Sequence, residues 1–192
     1  MGALSLLIFL PLIAVVGILL LPNRMGQSYK YLSLVVTLIQ FGLAGYLYAN
    51  FQGSTGGFND VASYQYVEQL PWIRLDLGSI GKLEIDYFLG VDGFSLPLLL
   101  LSAFVMLMAV GASWNMEKSK KGYFALLMLL NTAVMGIFCA LDFFLFYVFY
   151  EVMLLPLYFL IGIWGGARRE YAAIKFFIYT LFGSVFMLLV IV

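Results

Sequence analysis

Apolar residues fall into six long blocks, divided by short polar stretches and by one long one. The blocks cover residues 3–22, 31–51, 93–113, 122–141, 143–166 and 171–192. At about 1.5 Å of rise per residue, each can cross a hydrocarbon core of about 30 Å as one helix. The fourth and fifth blocks are separated by little more than Asp142, which predicts a tight helical hairpin. The sixth runs to Val192 with no flanking charge or cap, so the sequence reads as part of a longer membrane protein.

The long polar stretch, residues 52–92, follows a different period. It opens on a glycine-rich run, Gly53 to Gly57, and then alternates strictly. Ile73, Leu75 and Leu77 interleave with Trp72, Arg74 and Asp76; Leu83, Ile85 and Tyr87 interleave with Lys82, Glu84 and Asp86. Two period-two runs around Gly78-Ser79-Ile80 predict a β-hairpin. A loop there sets Asp76 opposite Lys82 and Arg74 opposite Glu84, with the apolar residues on one face. A slip of one residue would destroy that arrangement. Because an isolated hairpin is marginal in water, its apolar face is expected to lie on the helices or on a neighbour.

Composition supports this reading. Of 192 residues, 64% are hydrophobic and 10% charged, which places the chain in a membrane rather than in a soluble domain. Ten basic and ten acidic residues balance, against a nucleic-acid partner. With no histidine and a single cysteine, Cys139, haem, most zinc or copper sites and cysteine-ligated clusters lose their ligands. Any redox cofactor is therefore expected on another subunit. The first block lacks a basic leader and a cleavage site, and reads as a retained span rather than a signal peptide.

Charge also predicts orientation. Arg24 and Lys30, then Lys118, Lys120 and Lys121, then Arg168 and Arg169 occupy the three short loops of one side. That side is expected to be cytoplasmic, with the N-terminus and the hairpin outside.

The residue that stands out chemically is Glu151. It lies about 12 Å into its helix, near the bilayer midplane, where a carboxyl group costs roughly 2.5–3.5 kcal/mol on insertion scales. On a helical wheel Tyr147, Glu151, Tyr158 and Gly162 share one arc on an otherwise apolar helix. Pro156 supplies no N–H, so the Val152 carbonyl beside Glu151 loses its helical partner. Together they predict a protonatable carboxyl in a watered kink, in preference to a neutral structural hydrogen-bonder. Lys175, near the basic end of the sixth helix, is explained by snorkelling, with a role in a cytoplasmic half-channel as the alternative. Asp142 is expected to cap the fifth helix, Gly93 and Pro97 to begin the third, and Asn131 and Thr132 to bond between helices.

The run Tyr150 to Gly165, followed by Lys175 to Thr180, resembles the antiporter-like M-type (chain 4) membrane subunit of respiratory complex I, NADH:quinone oxidoreductase. Leu89 to Leu96 and Leu7 to Pro11 are similar to the same family. The resemblance implies an all-α polytopic fold of fourteen helices in inverted repeats, of which six are present, with an outer-face β-hairpin. It implies that Glu151 carries the proton and pairs with a lysine on a seventh helix. Tyr150 departs from the tryptophan common before that glutamate, which bears on the distinction from L- and N-type subunits. The expected organisation is helices 1–2 over residues 1–51, the outer loop over 52–92, and helices 3–6 over 93–192. The expected function is proton translocation coupled to quinone reduction, in an energy-coupling membrane such as the bacterial inner membrane. No redox centre is expected in the chain; NADH, FMN, Fe–S clusters and quinone would belong to other subunits. The expected partners are further membrane subunits of complex I and the lipid bilayer. The alternatives are a subunit of a multisubunit sodium/proton antiporter or membrane-bound hydrogenase, and a structural scaffold.

Overall fold

The computed structural model describes residues 2–22, 26–52, 64–76 and 82–191. Six helices are α1 (Ala3–Leu20), α2 (Gly26–Ala49), α3 (Ser95–Ala112), α4 (Lys120–Cys139), α5 (Phe143–Trp164) and α6 (Arg169–Ile191). Strands β1 (Gln65–Asp76) and β2 (Lys82–Val91) lie between α2 and α3. All six helices are long and apolar enough to span a membrane.

Several boundaries differ from the hydropathy blocks for local reasons. The second helix begins at Gly26 rather than at residue 31, because polar Gln27, Ser28 and Lys30 still form helix at its watered end. The third begins at Ser95 rather than Gly93. Asp92 Oδ1 accepts the N–H groups of Phe94 (3.1 Å) and Ser95 (2.6 Å), while the Asp92 N–H donates to Ser95 Oγ (3.0 Å). Such a reciprocal cap fixes where the helix can start. The fifth helix is capped as expected, with Asp142 Oδ1 accepting from Phe144 (2.9 Å) and Leu145 (3.0 Å).

The strands pair antiparallel, with Asp76 opposite Lys82 and Arg74 opposite Glu84. The ladder runs further than the alternation predicts, out to Gln65 paired with Val91. Period-two reading stops short because two irregularities break the pattern, one between Gln65 and Glu68 and one between Pro71 and Ile73. A proline is tolerated in a strand at such a bulge, where no ladder N–H is required. Tyr66 adopts a left-handed backbone (φ 57°) at the other irregularity, and its hydroxyl donates to the Leu47 carbonyl (3.2 Å). The Arg74 guanidinium pairs with Asp86 (3.0 Å). The turn Gly78-Ser79-Ile80 and the glycine-rich run 53–57 lie outside the described residues.

The apolar side of the hairpin sits on the helices, as its marginal stability requires. Ile85, Leu89 and Val91 are buried, and Leu89 and Val91 join a cluster with Leu4, Leu7, Leu96, Met135 and Phe149. The Leu141 N–H donates to the Phe88 carbonyl (2.9 Å), tying β2 to the α4–α5 turn. A second apolar cluster, around Ile18, Tyr29, Val110, Phe124 and Met128, fills the opposite end of the bundle.

At that opposite end three lysines close helix C-termini. Lys121 Nζ donates to the Leu21 carbonyl (2.9 Å) and Lys118 Nζ to the Ile163 carbonyl (2.7 Å). Lys30 Nζ reaches the Trp114 carbonyl, beyond α3. Each ammonium supplies a donor to carbonyls that a helix end leaves unpaired and complements the negative end of its dipole. The hairpin and the basic loops thus occupy opposite ends of the bundle.

α4 is the most enclosed helix, with 61% of its spanning window buried, whereas α6 has 11% and forms an edge against α5. Gly136 lets α4 and α5 approach: a Cβ there would lie 2.3 Å from Phe149 Cδ1.

Candidate proton-carrying site

Glu151 sits on α5, two turns from the capped end, and is half-buried. Its Oε1 is shut off from solvent and has no hydrogen-bond donor within the described residues. The Tyr147 hydroxyl, one turn earlier, interacts with both Glu151 and Ser184 of α6. Ser184 is 2% exposed and donates its own proton to the Leu181 carbonyl (2.9 Å). Glu151 therefore has one oxygen free to take a proton or meet a further donor.

The arc of Tyr147, Glu151, Tyr158 and Gly162 is the face that α5 turns towards α6. Tyr158 packs on Phe177 with ring centroids 5.4 Å apart, and a Cβ on Gly162 would touch that of Ala173 at 3.5 Å. Helix packing explains Tyr158 and Gly162. It leaves Glu151 as the acidic group on that face.

Pro156 is buried one turn beyond Glu151. It removes the N–H that would hold the Val152 carbonyl, so backbone and side-chain acceptors lie together at this depth. A second proline shows how the fold treats such a carbonyl. Pro11 frees the carbonyl of Leu7 in α1, and Gln40 Nε2 from α2 donates to it at 2.9 Å.

Lys175 is not brought to Glu151. Tyr147 meets Ser184 and Gly162 meets Ala173, so Lys175 lies about 9 Å along the helix axis from the level of Glu151. It is exposed, and its ammonium lies over the rings of Tyr171 (5.8 Å) and Tyr179 (5.9 Å). Aromatic faces of its own helix hold this ammonium.

Thr132 corrects an expectation. Its hydroxyl donates to the Met128 carbonyl of its own helix (3.2 Å), the usual resort of a threonine whose neighbours are apolar. Asn131 does bond between helices, donating to Gln40 Oε1 at 2.6 Å. Gln40 carried no signal in the sequence, although a glutamine inside a spanning block is itself a reason to look for a partner.

Two family models match the chain, meeting near the turn between α4 and α5. Residues 78–140 match NADH-ubiquinone oxidoreductase chain 4, amino terminus; residues 140–192 match NADH:quinone oxidoreductase/Mrp antiporter, TM. Among similar proteins, chain 4 of an NAD(P)H-quinone oxidoreductase from Thermosynechococcus vestitus is 37% identical over 97% of this chain and 33% of its own length. The F(420)H(2) dehydrogenase subunit M of Methanosarcina mazei is 40% identical over 96% of this chain and 34% of its own. NADH-quinone oxidoreductase subunit M of Rickettsia typhi is 36% identical, over 98% and 37% respectively. The chain thus spans about a third of the length of these relatives. A similar fold occurs in a solved archaeal respiratory membrane complex, the membrane-bound sulfane sulfur reductase. That match has a TM-score of 0.72 and 20% identity, and covers 98% of this chain and 27% of the other. The chain aligns with the N-terminal third of antiporter-like, chain 4 (M-type) membrane subunits of NADH:quinone oxidoreductase, whose family models match residues 78–192.

Proposed function

We propose that this polypeptide is part of a proton-translocating membrane subunit that couples quinone reduction to proton movement, with Glu151 as the proton-carrying group. The observation that carries this reading is the enclosed Oε1 of Glu151, without a partner among the described residues, midway along α5 and one turn from Pro156. An ionised carboxylate there without a donor costs far more than a protonated one. Its protonation state is therefore set by whatever donor or cation approaches it. In this reading that partner is a lysine of a further helix, in a fourteen-helix inverted-repeat protein. Electrons pass through NADH, FMN, Fe–S clusters and quinone on other subunits of the complex. The hairpin and the N-terminus face the outside of an energy-coupling membrane, and the lysine-capped ends face the cytoplasm. The names of the similar proteins favour an oxidoreductase over a sodium/proton antiporter, and one of them, a subunit of an F(420)H(2) dehydrogenase, is named for a different electron donor.

Glu151→Gln tests the proposal. It keeps shape and hydrogen bonding but removes the titration, so electron-transfer-driven proton uptake into vesicles should fall at least tenfold per assembled complex. Glu151→Asp should retain part of it. Full activity of the Gln variant would leave Glu151 a structural hydrogen-bonder and restore the scaffold reading.

A further inference from the structure

The interior of the bundle is divided. One apolar cluster includes Leu7, Ala44 and Met135, and the other includes Ala14, Val36 and Met128. Between them on the same three helices lie the Leu7 carbonyl freed by Pro11, Gln40 and Asn131. We propose that this layer is a hydration site, in which Asn131 Oδ1 holds a buried water molecule between α2 and α4.

Backbone chemistry fixes the direction of the chain of hydrogen bonds. A carbonyl can only accept, so the Leu7 oxygen requires the amide nitrogen of Gln40, found at 2.9 Å. Gln40 must then present Oε1 to Asn131, and Asn131 must answer with Nδ2, found at 2.6 Å. Reversing either amide would set oxygen against oxygen. Asn131 Oδ1 is left as the terminal acceptor of a polarised chain. Asn131 is 0% exposed, and Oδ1 has no donor among the described residues.

The donor that fits is small and neutral. A cation would have to shed its hydration for one amide oxygen among neutral groups, whereas water loses little and can bond onward. A second unpaired group lies on the same face of α2. Ser33, Thr37 and Gln40 follow at helical spacing; Ser33 is 0% exposed and its Oγ has no described partner. It lies about 10 Å along the axis from Gln40, too far to share one water.

The site lies at a depth comparable to that of Glu151. From the level where Gly136 meets Phe149, Asn131 is about 7.5 Å deeper along α4 and Glu151 about 3 Å deeper along antiparallel α5. The proposal extends the polar interior of the membrane domain to the far side of α4, independently of the role of Glu151.

A cryo-EM map of the intact complex, at a resolution that shows ordered water, tests it. The expected result is a peak at hydrogen-bond distance from Asn131 Oδ1 and from at least one further polar atom. Oδ1 packed against carbon with no peak, or paired with a protein donor, would overturn it. In the map of an Asn131→Leu complex the peak should vanish while Gln40 stays on the Leu7 carbonyl. A retained peak would show that Asn131 is not the ligand. If that variant does not assemble, the wild-type map alone decides.

Discussion

Glu68 of β1 caps the first helix through Ser5. Its Oε1 accepts the Ser5 N–H at 3.1 Å and that of Leu4 at 2.9 Å; its Oε2 accepts the Ser5 hydroxyl at 2.6 Å and the Gly2 N–H at 3.1 Å. Since the single Ser5 hydroxyl proton goes to the carboxylate, the Tyr87 hydroxyl 2.8 Å away must donate to Ser5. One carboxylate thereby joins both strands to α1 and meets the positive end of its dipole. Replacing Glu68 with Gln turns one accepting oxygen into a donor aimed at N–H groups. We expect a loss of about 1–3 kcal/mol, read as a lower thermal midpoint of the purified complex with α1 the first element to exchange its amide hydrogens. An unchanged midpoint would mean that the cap contributes nothing.

The contact of Gly136 with Phe149 predicts a paired effect. Gly136→Ala places a methyl where the ring lies and should cost about 1–3 kcal/mol by overpacking. Phe149→Leu removes the obstruction, so the double variant should be more stable than the sum of the two single changes implies. Simple additivity would show that the helices separate freely.

Asp92 predicts a dependence on pH. Burial alone would raise its pKa, but hydrogen bonds from Ser95 and Phe94 outweigh it and hold the carboxyl below its ordinary value. The group is then ionised more readily when folded than when unfolded. Its contribution is complete above the unfolded pKa of roughly 3.9 and is lost as pH falls through the lower folded value. Acid unfolding below about pH 4 should therefore be less steep in Asp92→Asn, which keeps an accepting oxygen without a titration. Equal slopes in the two proteins would refute this.

Orientation is tested by single cysteines at Ser119, in the loop before α4, and at Val67, exposed on β1. A membrane-impermeant thiol reagent should reach them from opposite sides, with Val67 labelled from outside. Labelling of both from one side would contradict the placement of the hairpin and the lysines at opposite membrane faces.

What the sequence made legible was periodic or local. The apolar blocks, the cap at Asp142, and the register of Asp76 with Lys82 all follow from neighbours or from alternation. The position of Glu151 midway along α5 is legible because depth in a helix is a matter of counting. Contacts across the chain are not. Glu68 meets Ser5 across 63 residues, and Asn131 meets Gln40 across 91. Neither residue announces its partner. The outer part of the ladder was hidden by its bulges, and Thr132 could as well have turned to a neighbour as to its own helix.

Lys30, Lys118 and Lys121 give the fold a memory of its insertion. Charges that would hold their loops back from translocation end as the donors that seal helix ends. On the proposed orientation, the signal for sidedness is thereby taken up by the finished structure. An inverted chain would have to drag these ammonium groups through lipid. Arginine in their place would meet the same carbonyls with a planar fork rather than a point donor. On the proposed orientation, sidedness and the closing of helix ends thus rest on the same three side chains.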